Sequence, residues 1–347
     1  VLCSGAGDAT VLSRIAERII QKTSVPFNVD GRECWYGASI GVAVMRGGDI
    51  RPRELLVNAD MALYRAKSRG RGCYEYFSAD LQAEIVRSKT TADAIRAGLP
   101  RGEFVPYFQA QIDARTFQIA GFEALARWHH PTDGVLSPAA FLGIAEDLNV
   151  VSQIDRAMLE ATLRHYRAWT DEHLPVPRLS INVSSRRLRE PDLIAGLREL
   201  NLPRGVFSFE LLESAFLDNA DEQIVWNLDM LREMGLDVEL DDFGSGHASI
   251  ISLIKLRPDA LKIDRELIAT ITTDPSRRDL VRSIIDIGRS LNVRVVAEGV
   301  ETLGQADLLR DLGCDTLQGY VFSKPMPAQA VPGFIQDWTA QPQQLTG

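Results

Sequence analysis

From residue 103 onward, short apolar runs alternate with longer segments of helical periodicity. This alternation constrains the fold more than any other feature of the chain, because strands separated by helices imply βαβ units and a parallel sheet. Eight strand candidates stand at 104–111, 119–126, 178–184, 206–211, 236–241, 259–263, 293–297 and 316–321. Helical segments fit between most of them, for example 138–148, 152–169, 221–234 and 276–291. Eight strands in about 240 residues predict an α/β fold of the (β/α)8 TIM-barrel type.

Ahead of this region the pattern is different. Residues 11–21 and 53–68 have the apolar spacing of amphipathic helices, the second preceded by Pro52 and stopped at Gly70. Residues 33–45 read as a strand containing Gly37 and Gly41, and 73–77 as a short edge strand. A polar-rich helix over 80–98 connects the two regions. The expected organisation is a partial α/β domain over 1–79, a linker helix over 80–91 and a barrel over 92–340.

Composition narrows the function classes. The chain has a formal net charge of −9, which disfavours non-specific binding to a nucleic-acid polymer, since that needs clustered Lys and Arg. It leaves a phosphate substrate open, because bound divalent cations can supply local positive charge. Cys3, Cys34, Cys73 and Cys314 are scattered without a CxxC pair, as expected of reduced thiols in the cytoplasm. No apolar run approaches the ~20 residues of a membrane span. The chain begins at Val1 and is expected to be a piece of a longer protein with sensor or membrane segments upstream.

Barrel enzymes carry their chemistry at C-terminal strand ends. Here a polar residue recurs at nearly every such end: Glu123 in GFEALARW, Asn182 in LSINVS, Glu210 in FSFELLE, Asp241 and Asp242 in VELDDFGSG, Lys262 in ALKID, Glu298 in VVAEGVE and Gln318 in TLQGY. Any one of these acids also reads as a helix cap or a rim salt bridge. Several carboxylates at one mouth repel unless cations lie between them, and oxygen donors suit Mg2+ or Mn2+ rather than zinc. Neighbours in a strand point to opposite faces, so Asp241 and Asp242 reach one site only if the chain turns, which Gly244 and Gly246 permit. One aspartate then bridges two metals about 3.5–4 Å apart, the arrangement used for in-line phosphodiester hydrolysis.

Taken in order and spacing, GFEALARW, INVS, ELLE, DDFGSG, LKID, AEGVE and LQGY resemble the EAL family of cyclic di-GMP phosphodiesterases over about 92–338. The resemblance implies hydrolysis of cyclic di-GMP to linear pGpG, lowering the level of a bacterial second messenger. It implies that Glu123, Asn182, Glu210 and Asp241 hold a first metal, and Asp241, Asp242 and Glu298 a second. Lys262 is expected to contact or help activate the attacking water, and Gln318 to orient groups at the site. Gln109 and Arg127 are expected to touch substrate, Arg127 at a phosphate, while Glu213 braces the DDFGSG loop. Ca2+, with longer bonds and weaker Lewis acidity, is expected to inhibit. A homodimer is expected to form next to that loop, around His247–Leu256. The alternatives are a catalytically silent cyclic di-GMP receptor and a one-metal barrel lyase or isomerase. Departures from the family pattern are His247 and Ala248 in the loop and Ala110 in YFQAQID.

The first 80 residues resemble the second half of a GGDEF diguanylate cyclase domain, through AERI, GASIGVAV, ADMALYRAKSRGRG and YEYF. The GG[DE]EF signature is absent, so this region is expected to serve as a structural remnant and linker rather than a complete cyclase site.

Overall fold

The computed structural model describes residues 9–30, 32–44, 52–212, 222–244, 253 and 256–340. The chain forms two compact units, one ending at Ala94 and one beginning at Ile95. The helix Ala79–Gly98 runs unbroken across that boundary. Among the described residues no helix is long and apolar enough to cross a membrane.

In the first unit, the helix Ala9–Thr23 precedes a hairpin of β1 (Phe27–Val29) and β2 (Arg32–Cys34). Then come β3 (Ile40–Val42), the helix Pro52–Ser68 and β4 (Tyr74–Tyr76). The helix carries the chain back so that β4 pairs with β3 in parallel, as a crossover requires. The single strand expected over 33–45 is thus two short ones. Its first part turns back on β1 in antiparallel register, and its last part pairs with a strand that arrives after a helix. The segment from Trp35 to Ser39 joins them outside any ladder.

The second unit is a closed barrel. Its eight staves are β5 (Phe104–Asp113), β6 (Ile119–His130), β8 (Leu179–Asn182), β9 (Phe207–Leu212), β10 (Asp237–Phe243), β11 (Ala260–Ile263), β12 (Arg294–Ala297) and β13 (Thr316–Gln318). Two short strands, β7 (Gly134–Leu136) and β14 (Met326–Pro327), extend it at β6 and β5. From β6 round to β13 every neighbouring pair is parallel. The expectation of a wholly parallel sheet fails at β5, which closes the barrel antiparallel to both β6 and β13. The reason is the connection. Five residues, Ala114–Gln118, separate β5 from β6, enough for a hairpin but too few for a crossover helix.

Side-chain alternation makes the barrel wall two-sided. In β9, Phe207, Phe209 and Leu211 join the apolar core while Ser208 and Glu210 between them are also buried. Val238 and Leu240 alternate in the same way with Glu239 and Asp241, and Leu261 and Ile263 flank Lys262. In these strands one face joins the apolar core and the other carries buried polar groups. The helix Pro275–Leu291 shows the matching design. Asp274 caps its first turn by accepting from Ser276 N and Arg277 N, and Val281, Ile284, Ile285 and Gly288 form one buried stripe.

Candidate active site

The barrel brings the strand-end residues to one mouth. Gln109 on β5 lies in register with Glu123 on β6, and Asn182 ends β8 in register with Glu210 on β9. Asp241 and Asp242 come from β10, Lys262 from β11, Glu298 from just beyond β12, and Gln318 ends β13. A cavity of about 500 Å³ opens here, lined on its polar side by Gln109, Glu123, Asn182, Asp241, Asp242, Glu298 and Gln318. Its other wall is apolar, built from Pro138, Leu142, Val151, Ile154 and Met158.

Both aspartates of DDFGSG reach the site, but by another route than glycine freedom alone. The β10–β11 register shifts between Leu240 and Phe243, and Asp242 itself takes the left-handed conformation, with φ 56°. Such a bulge places two successive side chains on one face, and aspartate is among the few non-glycine residues that tolerate it. Asp242 N donates to Asp241 Oδ1 at 2.9 Å, tying the pair together. Carboxylate oxygens of Asp241, Asp242 and Glu298 lie within 4.8 Å of one another, a spacing fit for a shared cation.

Lys262 stands at the centre of the charge. Its side chain is fully buried, and Nζ lies 2.6 Å from Glu298, 2.8 Å from Glu210, 3.4 Å from Glu123 and 3.5 Å from Asp241. Burial alone would lower its pKa, but the carboxylates of Asp241, Glu123, Glu210 and Glu298 hold it well above the usual lysine value. One ammonium does not balance this many acids. Burial pushes Glu298 up to about 8 against the pull of Lys262. Burial and the charge of Glu123 raise Glu210 well above its usual value. Burial, then Asp241 and Asp264, raise Asp242 to about 6. Glu123 is held low despite burial, through Lys262 and Gln318.

Amides position the carboxylates. Asn182 Nδ2 donates to Glu123 Oε1 at 2.9 Å and to Glu210 Oε2 at 3.2 Å. Gln318 Nε2 donates to Glu123 Oε2. Glu210 Oε1 is buried without a hydrogen-bond partner, a costly state for a polar atom unless a cation meets it. The donors are all oxygen, which suits a hard divalent ion, and the residues present fit such a group.

Arg127 has Nη1 donating to Ala126 O at 2.8 Å and its guanidinium 5.8 Å from the Tyr107 ring centroid. Glu213 lies outside the described residues, as do Gly246, His247 and Ala248. Leu253 and Leu256, from the stretch expected to pair two subunits, are buried in this chain's own core.

Sequence reasoning passed over several residues that the fold brings in. Asp264, directly after β11, caps the helix Arg265–Ile268 and faces Asp242; its place in LKID was the available signal. Asp155 accepts from Ser184 N at 2.9 Å and Ser184 Oγ at 2.6 Å beside the cavity. It sits on a helix, where nothing local marks it. Gln111 donates to the Gln318 carboxamide and the Ser323 carbonyl accepts from that of Gln109, and Glu239 lies buried one alternation below Asp241.

Among the described residues the barrel mouth gathers its acids around one buried lysine, Lys262, an oxygen-rich site able to hold a hard cation. The chain belongs to the EAL domain family, which it matches over residues 92–325. Residues 1–73 match the diguanylate cyclase GGDEF domain. Among curated proteins it is similar to the bifunctional diguanylate cyclase/cyclic di-GMP phosphodiesterase MucR of Pseudomonas aeruginosa, with 33% identity over 333 residues, 95% of this chain and 48% of MucR. It is also similar to the cyclic di-GMP phosphodiesterase NbdA of the same organism, with 32% identity over 93% of this chain and 42% of NbdA. The chain thus spans less than half the length of these relatives. A solved structure of the PaMucR phosphodiesterase in complex with c-di-GMP superposes with a TM-score of 0.66 and 33% identity, covering 70% of this chain and 99% of that one.

Proposed function

We propose that the barrel hydrolyses one phosphodiester bond of cyclic di-GMP to give linear pGpG, acting in the cytoplasm with two divalent ions, Mg2+ or Mn2+. The observation that carries this reading is the convergence of Glu123, Glu210, Asp241 and Glu298 on the single buried ammonium of Lys262. So many acids around one fixed positive charge leave a deficit that divalent cations fill. Glu123, Asn182, Glu210 and Asp241 would hold one ion, and Asp241, Asp242 and Glu298 the other. Bound there, the ions supply a polarised water and neutralise phosphate charge.

The chain's own residues do the rest. Lys262 would donate hydrogen bonds to water or phosphate. Asn182 and Gln318 hold Glu123 in place, and Gln109 and Arg127 would meet the substrate. The apolar wall of Leu142, Val151, Ile154 and Met158 offers flat bases a surface away from water. Similarity to MucR and NbdA supports the choice of substrate.

The test is to incubate the protein with cyclic di-GMP and Mg2+ or Mn2+ and to follow pGpG by chromatography. Binding without product would favour a silent receptor instead. With Mg2+ fixed, added Ca2+ should suppress product while substrate still binds, since misplacement on the order of 1 Å costs ~10²-fold in rate. Full turnover with Ca2+ alone would rule out the tight two-metal arrangement. The reading also includes a symmetric homodimer formed beside the DDFGSG loop, and a strictly monomeric mass by light scattering at high concentration would count against it.

A further inference from the structure

We propose that Gln111 is a positioning residue for Glu123, locking the Gln318 carboxamide in the one orientation that donates to that carboxylate; the inference rests on reading the barrel mouth as a metal site.

Gln109, Gln111 and Gln318 are all buried in the barrel, at 6%, 3% and 4% exposure. Their carboxamides form a chain whose direction is set from both ends. At one end Gln109 Nε2 donates to the carbonyl oxygen of Ser323 at 3.0 Å, a group that only accepts. Gln109 therefore presents Oε1 to Gln318, whose Nε2 donates to it at 3.3 Å. At the other end the same Nε2 donates to Glu123 Oε2, which in its ionised form also only accepts. Both N–H bonds of Gln318 are then used, and its Oε1 must face elsewhere.

Gln111 supplies that partner. Its Nε2 donates to Gln318 Oε1 at 3.0 Å and to Ser180 Oγ at 3.3 Å. If Gln318 flipped, its oxygen would meet both the Glu123 carboxylate and Gln109 Oε1, and its NH2 would meet the N–H groups of Gln111. Every contact would pair like with like. Without the Gln111 donor, Gln318 Oε1 becomes a buried acceptor with no partner, which is unfavourable because its desolvation is no longer offset. The carboxamide is then no longer fixed from that side and can move off Glu123 Oε2, which also stands 3.4 Å from Lys262 Nζ. Glu123 then moves onto the lysine rather than standing ready for a cation. Residues that orient metal-binding groups in this way typically cost ~10–100-fold in metal affinity when lost.

Gln111→Met keeps the size and deletes the donor, whereas Gln111→Glu replaces the donor with an acceptor. Three measurements on each and on the wild type test the inference: side-chain amide exchange of Gln318 by NMR in metal-free protein, Mg2+ affinity by calorimetry, and kcat and KM as functions of Mg2+. In Gln111→Met the amide should exchange about tenfold faster and Mg2+ should bind about tenfold more weakly. Turnover should recover as Mg2+ is raised, with KM little changed. Gln111→Glu should be worse on every measure. A merely structural residue would lower Tm without this ranking and without rescue by Mg2+. Unchanged exchange and affinity in a folded Gln111→Met protein would overturn the inference, and that variant decides alone if Gln111→Glu does not fold. A wild-type protein that fails to make pGpG defeats the proposed function, while the exchange measurement still decides the role of Gln111.

Discussion

Lys262 shows how much one side chain does at this site. A fully buried ammonium facing Glu123, Glu210, Asp241 and Glu298 holds together acids that would otherwise repel. Removing one partner of a buried charge group commonly costs about 3–5 kcal/mol. Lys262→Met should therefore destabilise the metal-free protein and lower kcat far more than it weakens cyclic di-GMP binding. Steady-state kinetics beside equilibrium binding check this, and a collapse of affinity with kcat intact would make Lys262 a binding contact only. Asp155 gives a pH signature of its own. Burial raises it to about 6 against the two Ser184 donors, so the folded state keeps this proton where the unfolded chain, near 3.8, has lost it. Its contribution to stability is fully present below pH 3.8 and fades as pH rises through 6. The change amounts to roughly 2–3 kcal/mol. Urea unfolding of Asp155→Asn should show a flatter pH dependence across that window than the wild type. The Cys314 thiol, buried and pushed up to about 12, should stay unreacted with iodoacetamide in native protein at pH 8 and react on unfolding.

At the scale of elements, the site depends on how strand ends are bent and packed. The bulge at Asp242 turns β10 so that neighbouring aspartates share a face, and Gly244 follows with φ 96°. Gly319, directly after β13, packs so closely on the segment beyond β12 that a Cβ there would lie 1.9 Å from the carbonyl oxygen of Val300. That approach lets Val300 N donate to Gln318 O at 3.0 Å, joining the Gln318 segment to the one bearing Glu298. Gly319→Ala must push the two apart. The expected outcome is a loss of about 1–3 kcal/mol in unfolding free energy, with a further fall in Mg2+ affinity because Gln318 and Glu298 both shift. Wild-type affinity in a destabilised Gly319→Ala protein would show that the two segments move independently of the site.

For the whole molecule, a barrel that gathers so much negative charge at one mouth should be most stable when cations are bound. If Mg2+ binds the folded state alone, a concentration 100 times its Kd adds about 2.7 kcal/mol. For a unit of this size that is a rise in Tm of roughly 5–10 °C. Calorimetry with EDTA and with Mg2+ checks it. The rise should shrink in Asp241→Ala, which removes the carboxylate proposed to bridge both ions, and the same variant should lose turnover by orders of magnitude. A Tm indifferent to Mg2+ would contradict the metal site without touching the fold.

Much of this was legible in the residues alone, for a physical reason. Strands of a barrel alternate strictly, so buried Glu210 between Phe209 and Leu211, or Lys262 between Leu261 and Ile263, announce both the strand and its polar face. All eight staves lay where the apolar runs put them, although their ends moved, β6 for instance running on to His130. What local pattern does not encode is partnership across the barrel. The antiparallel β5 follows from a five-residue connection, which apolar periodicity does not register. The left-handed Asp242 depends on what β10 packs against. The depth of Lys262, the orphaned Glu210 Oε1 and the direction of the glutamine chain from Gln111 to Glu123 exist only once strands more than 200 residues apart in sequence, such as β5 and β13, lie side by side. Residue type determined which chemistry was available at the mouth. Tertiary structure decided which atoms face each other there, because desolvation and hydrogen-bond direction are properties of an assembled interior.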